Sequence, residues 1–491
     1  MAIQITETNT SEQIDLSKYN LRLSLTVVTS LFFMWGFITC MNDILIPFVR
    51  KVFELGRFES LLVQFAFFGA YFVGSLLYII VSTKKGDPIV KIGYKNGLII
   101  GLLVSAVGCA LFYPAAYYKV YGLFLSALFI LALGFTLLQI AANPYVAILG
   151  KPSTASSRLN LSQAFNSFGT TIAPIIGGYF IFNFFARWGS PLLNKMNAVI
   201  LTDAGTPITA NGVQAPYLIF AGIFLLLALI IKITQLPEIT AAHEVVKGNG
   251  ALKYRHLVLG VVAIFMYVGG EVSIGSVLIN YMKEMANIPE MEAKSFLAFY
   301  WGGAMIGRFL GAISLSDSKS KLMKMIGMAF VSIITYLIIY GAVYLETNGS
   351  FAFVKIAPFI IFLALNYLFF ILSNAKPART LLLFSIAVIG LLLGTIVTSG
   401  MTAIWMVLGI GLFNSIMWSN IFTLAIKDLG KYTSQGSSYL IMAILGGALV
   451  PLLMGYIADS LNGYHYSFFI AIGCYTYLAY YGWKGHSVLQ K

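Results

Sequence analysis

The chain is poor in charged residues. Asp, Glu, Lys and Arg make up 10% of its 491 residues, whereas hydrophobic residues make up 59%. Soluble domains carry roughly 25% charged residues, so this composition excludes an ordinary soluble protein. Apolar runs of about 20 residues recur along the chain, and each is long enough to cross a hydrocarbon core of about 30 Å. The sequence therefore predicts an all-α polytopic membrane protein.

Residues that commonly hold metals are also scarce. The chain has 3 cysteines and 4 histidines. Cys40, Cys109 and Cys474 lie in apolar runs, and their spacing fits neither a disulfide framework nor a metal site. Neither a GxxxxGK[ST] loop for ATP nor an HExxH zinc motif occurs. We therefore expect no cofactor, no metal site and no catalytic residues.

The net charge of +13 could indicate nucleic acid binding, but its distribution indicates membrane orientation. If the N-terminus is cytoplasmic, the loops on the cytoplasmic side collect most of the Lys and Arg residues, as the positive-inside rule requires. No cleavable signal is visible, so the first span is expected to direct insertion. We predict a multi-pass protein of the inner (plasma) membrane with both termini cytoplasmic and no nucleic-acid partner.

The apolar runs predict about 14 transmembrane helices in two groups. A cytoplasmic tail (1–22) precedes a six-helix bundle (23–236), and a cytoplasmic linker (237–255) precedes a second bundle (256–491). The predicted spans are 23–49, 59–82, 97–116, 121–149, 158–184, 216–236, 256–282, 293–315, 323–345, 355–373, 380–398, 402–426, 434–457 and 465–484.

The two bundles contain a weak internal repeat. GFTLLQIAANPYVAIL aligns without a gap on GLFNSIMWSNIFTLAI, so that Asn143 meets Asn420, and the same offset continues into the next helix. Near the start of each bundle the offset between aligned residues is shorter. Gly69, for example, aligns with Gly303. The difference corresponds to an inserted pair of helices, which we place at about 322–374. Two parallel six-helix repeats in one chain are typical of transporters whose halves rock against each other.

Two acidic residues lie inside predicted spans. An ionised Asp at mid-membrane costs about 2.5–3.5 kcal/mol on insertion scales, so such a residue usually has a function or a partner. Asp43, in TCMNDILIP, is expected to bind the coupling ion, and the alternative is an interfacial position or a basic partner. Glu271, in YVGGEVSIGS, is a candidate second ion site, a sugar acceptor or a structural partner of Arg308.

Amide side chains form the densest polar group in the spans. Gln139 and Asn143 share one face of the fourth predicted helix, and Asn160, Gln163 and Asn166 form a stripe on the fifth. An amide both donates and accepts hydrogen bonds, as a sugar hydroxyl does, so these side chains suit a neutral polyol. The alternative is contact between helices, worth about 0.6 kcal/mol per bond. We favour that alternative for Asn143 and ligand binding for Gln163 and Asn166.

Aromatic side chains in the spans are candidates for stacking on the apolar face of a sugar ring. The set comprises Trp35, Phe65, Tyr71, Tyr267, Trp301 and Trp418. Of these, we assign Trp35, Tyr267 and Trp418 to the predicted substrate site.

Five segments of the chain resemble motifs of a known family. NDILIP, QFAFFGAYF, LQIAANPYV, ASSRLNLSQAFNSFGTT and GLFNSIM are similar to the fucose permease (fucose–galactose–glucose–proton symporter) family of the major facilitator superfamily. They are closest to its bacterial glucose/galactose transporter branch. The resemblance runs from about residue 23 to the last helix and excludes the inserted pair. It implies the major facilitator fold of two six-helix bundles, alternating access and cation-coupled sugar uptake.

The resemblance also implies roles for individual residues. In the fucose–proton symporters an Asp of the NDIL motif and a Glu of the fourth helix are implicated in proton coupling, and Gln and Asn of the QxFN segment contact sugar. By motif these positions are Asp43, Gln139, Gln163 and Asn166. The chain departs from the fucose branch at Gln139, which stands where that branch has Glu. Glu271, in a segment similar to the glucose/galactose branch, is a candidate to replace it.

The sequence thus predicts a monomeric secondary active transporter that takes up a hexose such as glucose or galactose together with H⁺ or Na⁺. The alternatives are a symporter for fucose or another monosaccharide, a sugar efflux transporter of the same fold, and a sensor without transport. A membrane enzyme acting on lipid-linked sugars would need a cluster of His, Asp or Glu at a membrane face and sizeable catalytic loops, and the sequence indicates neither, so we do not expect an enzyme. The expected partners are a monosaccharide and the lipid bilayer.

Overall fold

A computed structural model describes residues 18–54, 57–180, 184–185, 191–192, 199, 209, 211–237, 247–317 and 320–488. Within these ranges the description excludes the side chains of residues 42–48, 50–51, 57–61, 64, 174–175, 178–179, 211 and 290–291. Secondary structure in the described ranges is helical, apart from isolated bridge residues, which include the pair Pro191 and Thr209. The all-α prediction is confirmed.

The first half of the chain contains seven described α-helices, of which one is a short helix in a loop. They are α1 (Leu21–Val52), α2 (Arg57–Lys85), α3 (Pro88–Ile92), α4 (Tyr94–Tyr118), α5 (Tyr121–Ile148), α6 (Ala155–Tyr179) and α7 (Asn211–Ile233).

The second half contains ten described α-helices, several of them shorter. They are α8 (Arg255–Ala286), α9 (Glu290–Ser314), α10 (Lys321–Glu346), α11 (Phe359–Leu372), α12 (Pro377–Val397), α13 (Gly400–Asn414), α14 (Met417–Ala425), α15 (Thr433–Met442), α16 (Gly446–Ser460) and α17 (Phe469–Tyr480).

Within the described residues, 11 stretches are long and apolar enough to cross a membrane. Each of the pairs α13–α14 and α15–α16 counts there as one stretch. The more polar α6 and the shorter α11 and α17 are not among the 11. When these three helices are added to the 11 stretches, the number of membrane crossings equals the number predicted from the sequence.

Two crossings that the sequence predicts as continuous helices are broken. Ser415 and Ile416 separate α13 from α14, and a 3₁₀ turn at Ala443–Leu445 separates α15 from α16. The Ser415 hydroxyl donates to the Leu412 carbonyl oxygen at 2.7 Å. Such a local side-chain bond competes with the regular helical ladder. Hydropathy averaged over a whole crossing does not detect these breaks because most of the flanking residues are apolar.

Local capping explains several helix ends. The Asn20 side chain accepts a hydrogen bond from the Leu23 amide at 3.1 Å and caps α1. The Asp87 carboxylate accepts from the Ile89 amide at 2.9 Å and caps α3. Side-chain acceptors at these positions satisfy amides that have no partner inside the helix. Gly93, at φ 82°, ends α3 in a conformation that favours glycine and lets α4 begin directly.

Helix packing follows a similar pattern in the two halves. α4 packs against α5 and α7, and α12 packs against α13 and α17. α10 and α11 pack mainly against α9 and α13. This pattern makes α12 the counterpart of α4 and supports α10–α11 as the inserted pair. The division into domains and the place of the insertion remain our proposals.

The halves meet at one end of the bundle, which carries the loops after α2, α5, α9 and α14 together with the linker at 247–253. We call it the basic end because these loops hold many of the Lys residues. There the Ser434 hydroxyl donates to the Asp87 carboxylate at 2.7 Å. The Lys151 ammonium lies 3.0 Å from the Asp317 carboxylate. Both contacts join the first half to the second.

Contacts between the halves continue towards the middle of the bundle. The hydroxyls of Ser156 and Thr423 lie 2.6 Å apart. Several described hydrogen bonds join α6 to the second half. The one nearest the C-terminal end of α6 runs from the Thr171 hydroxyl to the Met305 sulfur, at 3.8 Å. The described contacts therefore hold the basic end closed.

Candidate functional site

The contact between α1 and α6 places the amide stripe of α6 inside the first half. A Cβ atom on Gly36 would overlap the Asn166 backbone, and one on Gly169 would overlap the Phe33 carbonyl. The two backbones can approach so closely because glycine has no side chain. The Asn166 amide donates to the Phe32 carbonyl oxygen at 3.0 Å. Asn166 therefore fixes α6 on α1 while its side chain stays half-buried.

Gln163 and Asn143 connect α6 to α5. The Gln163 amide donates to the Asn143 side-chain oxygen at 3.4 Å. The Asn143 amide donates in turn to the Gln139 carbonyl oxygen at 3.0 Å. Both functional atoms of Asn143 therefore have protein partners, which agrees with the structural alternative for this residue. A contact of Asn143 with substrate, the other role that the sequence allows, is untested.

Gln139 has a different environment. Its side chain is buried, and neither the amide nitrogen nor the amide oxygen has a hydrogen-bond partner among the described residues. A buried polar group without a partner costs about 1–3 kcal/mol. The Tyr71 hydroxyl lies beside Gln139 and Thr39 and accepts a hydrogen bond from the Trp35 indole at 3.2 Å. We call Trp35, Thr39, Tyr71 and Gln139 the Gln139 cluster.

Gln139 and Gln163 lie at similar depth. Gln139 is nine residues before the end of α5, and Gln163 is eight residues after the start of α6. At 1.5 Å per residue both lie about 12–14 Å from the basic end. The Thr39 hydroxyl is also buried without a partner among the described residues. The first half thus presents several unsatisfied donors and acceptors near the middle of the membrane.

The second half contains a buried network around Glu271. The Tyr300 hydroxyl donates to the Glu271 carbonyl oxygen at 3.1 Å and accepts from the Asn414 amide at 3.1 Å. The Tyr475 hydroxyl donates to the Asn414 side-chain oxygen at 2.6 Å, and the Tyr267 hydroxyl donates to its backbone oxygen at 3.2 Å. We call these five residues the Glu271 cluster. One carboxyl oxygen of Glu271 is buried without a partner among the described residues.

Trp418 and Ser419 add further unsatisfied groups on α14. The Trp418 indole nitrogen and the Ser419 hydroxyl are buried and have no partner within the described part of the chain. The Trp418 ring stacks on Phe422 with a centroid distance of 6.3 Å. A buried indole N–H usually has a hydrogen-bond partner, so the Trp418 indole is available to donate a hydrogen bond to a ligand.

Asn160 lies at the contact between the halves. Its amide donates to the Ser156 carbonyl oxygen at 2.8 Å and to the Asn420 side-chain oxygen at 3.4 Å. The Asn420 amide donates to the Pro377 carbonyl oxygen at 3.2 Å. The position thus favours a role in joining the halves. Substrate binding by Asn160 remains a prediction.

Arg308 lies between the two clusters. Its guanidinium donates to the Ser415 carbonyl oxygen at 3.2 Å and to the Gln163 carbonyl oxygen at 3.4 Å, and it also donates to the Ser167 hydroxyl. The Glu271 carboxyl is close to this guanidinium. Polar contacts therefore run from Gln139 in the first half to Glu271 in the second.

The remaining predicted positions lie elsewhere or outside the description. The side chain of Asp43 lies outside the described residues. Phe65 is 73% exposed and Trp301 is 40% exposed, so neither ring is enclosed by protein. The described residues contain no group of three or more His, Cys, Asp or Glu that could hold a metal ion.

Sequence reasoning missed four polar residues of these networks. Tyr300, Asn414 and Tyr475 make buried hydrogen bonds within the second half, and Ser167 accepts a part-buried hydrogen bond between the halves. Asn414 carried a detectable signal because it is an amide inside an apolar span, within the GLFNSIM segment. The two tyrosines carried no such signal, because tyrosine is common in this chain, which has 28 of them.

Comparison with known proteins gives a consistent group of relatives. No protein-family model matches the chain. It is 42% identical over 490 residues to a glucose/galactose transporter of Brucella abortus (strain 9-941), which covers 99% of both chains. It is 31% identical over 442 residues to an L-fucose-proton symporter of Escherichia coli (strain K12), which covers 88% of this chain and 86% of the relative.

The fold is also similar to a solved structure. The crystal structure of FucP, a major facilitator superfamily transporter in the outward conformation, matches 96% of this chain and 100% of the FucP chain. The TM-score is 0.72 and the sequence identity is 28%.

Proposed function

Because the chain belongs to the fucose permease family of the major facilitator superfamily, we propose that it takes up a hexose such as glucose or galactose together with H⁺ or Na⁺. The Brucella relative is named as a glucose/galactose transporter and the Escherichia relative as an L-fucose-proton symporter. Their names support sugar as the substrate class and cation coupling as the energy source.

The observation that carries the proposal is the state of the Gln139 side chain. Its amide is buried near mid-membrane with no partner among the described residues. An amide can accept from one sugar hydroxyl and donate to another, so a bound sugar would satisfy both atoms at once. Trp35, Gln163, Asn166 and the Trp418 indole would surround the same ligand from the two halves.

The closed basic end supports an outward-facing state. The positive-inside rule makes the basic end cytoplasmic. The contacts Ser434–Asp87 and Lys151–Asp317 would then close the cytoplasmic side. Sugar would enter from the opposite end and bind between the halves. The halves would then rock, break these contacts and release the sugar inwards, as expected for a transporter built from two repeats.

For the coupling ion we propose two carboxyl groups. Asp43 is one candidate, on the sequence argument alone, and Glu271 is the other. A buried carboxyl with an unpaired oxygen gains a partner when it binds a proton or a cation. We propose no catalytic residue and no cofactor, and we propose that the monomer is the transporting unit.

The proposed function is tested by hexose counterflow in proteoliposomes, with and without Na⁺ and at several pH values. We expect exchange of labelled glucose or galactose by the wild-type protein and accumulation only when an ion gradient is imposed. Asp43→Asn should abolish accumulation and retain exchange. Unchanged accumulation by this variant would remove Asp43 from the mechanism, and absence of exchange with every hexose would refute sugar transport.

Direction and reaction class are tested separately. An efflux transporter would lower the sugar content of right-side-out vesicles under the same gradient that drives uptake in our proposal. A sensor would bind sugar without any flux. A transporter that takes up sugar must show both sugar binding and gradient-driven sugar entry.

A further inference from the structure

Arg308 makes hydrogen bonds to both halves in the middle of the bundle. Within its own half it donates to the carbonyl oxygen of Ser415, at the break between α13 and α14. Across the interface it donates to the Gln163 carbonyl oxygen and to the Ser167 hydroxyl on α6. α6 is also the helix that carries the Gln163 and Asn166 side chains. A displacement of Arg308 would therefore change the position of α6 and of the side chains that α6 contributes to the proposed sugar site.

The Glu271 carboxyl and the Arg308 guanidinium both lie beside the Tyr267 hydroxyl, close enough for their charges to interact. The groups that face this carboxyl are the Arg308 guanidinium on α9, the Tyr267 and Tyr300 hydroxyls, and the Tyr475 hydroxyl on α17. The Tyr300 and Tyr475 hydroxyls donate to the Glu271 backbone and to Asn414, and the Tyr267 hydroxyl, which donates to the Asn414 carbonyl oxygen, also lies beside the Glu271 carboxyl. An ionised buried carboxylate needs a positive partner, and Arg308 is the basic group that faces it among the described residues.

We propose that Arg308 couples the charge of Glu271 to the position of α6, so that protonation of Glu271 strengthens the contact between the halves at the sugar site. This inference rests on the proposed transport function. When Glu271 is ionised, its carboxylate attracts the guanidinium. When Glu271 takes up a proton, the guanidinium is released to Ser167 and to the Gln163 carbonyl. The structure has this second arrangement, with one Glu271 oxygen unpartnered.

The same geometry favours H⁺ over Na⁺ at Glu271. A sodium ion bound to this carboxyl would lie near the positive guanidinium, in a buried region where repulsion between like charges is weakly screened. A proton neutralises the carboxyl without placing a second cation next to Arg308. Glu271 is thus a proton site, and Arg308 is a positioning residue that transmits its state.

Removal of the hydroxyl that Arg308 contacts tests the coupling. In Ser167→Ala the charge-assisted bond across the interface is lost, and we expect proton-driven sugar accumulation to fall about tenfold while counterflow persists. Ser162→Ala is the matched control. Ser162 is a buried serine on the same helix, but its hydroxyl lies 2.9 Å from Thr29 within the first half. Accumulation by this control should stay near the wild-type value.

The pH dependence of the half-saturation concentration for sugar distinguishes coupling of Glu271 to α6 from a merely structural role of the Arg308 contact. Glu271→Gln mimics the protonated carboxyl, so the half-saturation concentration for sugar should lose part of its pH dependence. Ser167→Ala should cause the same loss, and the double variant should resemble either single variant. A wild-type pH profile for Ser167→Ala, or effects that multiply in the double variant, would overturn the coupling.

Failure of the inference is separable from failure of the proposed function. If the wild-type protein shows no counterflow with any hexose, sugar transport is wrong. If the wild-type protein exchanges and accumulates sugar while Ser167→Ala behaves like Ser162→Ala, only the role of Arg308 is wrong. Thermal unfolding in detergent identifies a variant that has lost its fold. In that event Ser167→Thr, which keeps the hydroxyl, must restore the wild-type pH profile for the inference to stand.

Discussion

Replacement of Gln139 by Leu should separate ligand binding from folding. The side chain has two buried polar atoms without partners among the described residues, and its polar neighbour is the Tyr71 hydroxyl, so its removal costs at most a weak contact with that hydroxyl. A bound sugar would make two hydrogen bonds with the amide, at about 1 kcal/mol each. We therefore expect a loss of about 2 kcal/mol in sugar binding, or roughly a thirtyfold rise in the half-saturation concentration. Stability should be unchanged or slightly increased.

Asn143→Leu provides the contrast. Asn143 donates to the Gln139 carbonyl and accepts from the Gln163 amide, so its loss leaves the buried Gln163 nitrogen without that acceptor. We expect this variant to be destabilised by about 1–3 kcal/mol. Counterflow gives the half-saturation concentration, and thermal unfolding in detergent gives the stability. Wild-type affinity in Gln139→Leu, or unfolding of this variant as early as Asn143→Leu, would refute the assignment of Gln139 as a ligand contact.

Two further predictions concern Trp418 and the contact between α1 and α6. Trp418→Phe removes a buried indole donor and keeps an aromatic ring, so counterflow should show roughly a fivefold rise in half-saturation for one lost hydrogen bond; no rise would mean that the ring only stacks. Gly36→Ala should destabilise the protein by about 1–3 kcal/mol because its methyl group would overlap the Asn166 backbone. Gly69→Ala is the control, since a Cβ there meets no atom within 4 Å, and equal melting temperatures for the two variants would contradict the overlap.

The family and the fold class predicted from the sequence are confirmed by the relatives and by the similarity to FucP. Both predictions depended on long segments such as ASSRLNLSQAFNSFGTT and on the recurrence of apolar runs. These signals are strong because a helix that crosses a lipid bilayer must satisfy its backbone internally and must be apolar over its whole length. Chain composition alone is then enough to find most crossings.

Breaks inside crossings were not predictable in the same way. The sequence predicts continuous helices at 402–426 and 434–457, whereas the structure interrupts both. A change from an α-helix to a short 3₁₀ turn alters neither hydropathy nor length. It depends on local bonds, such as that from Ser415 to Leu412, which have no clear sequence signature.

The amides show where sequence reasoning on the site ends. Gln139, Asn143, Gln163 and Asn166 look alike in the sequence, because each is a polar residue on an apolar helix. The structure gives Asn143 two protein partners and attaches Asn166 to α1, and it leaves the Gln139 amide without a described partner. Partner assignment requires side chains from other helices, and their positions depend on packing between distant segments.

The sequence by itself determined that this protein crosses the membrane many times, belongs to a family of sugar transporters and carries polar groups where lipid cannot solvate them. The tertiary structure alone decided which of those groups are already satisfied. It also brought Arg308 of the second half against Gln163 and Ser167 of the first, within electrostatic reach of Glu271. The physical reason is that hydrophobicity is a property of each segment, whereas a hydrogen bond exists only between two groups that the fold brings together.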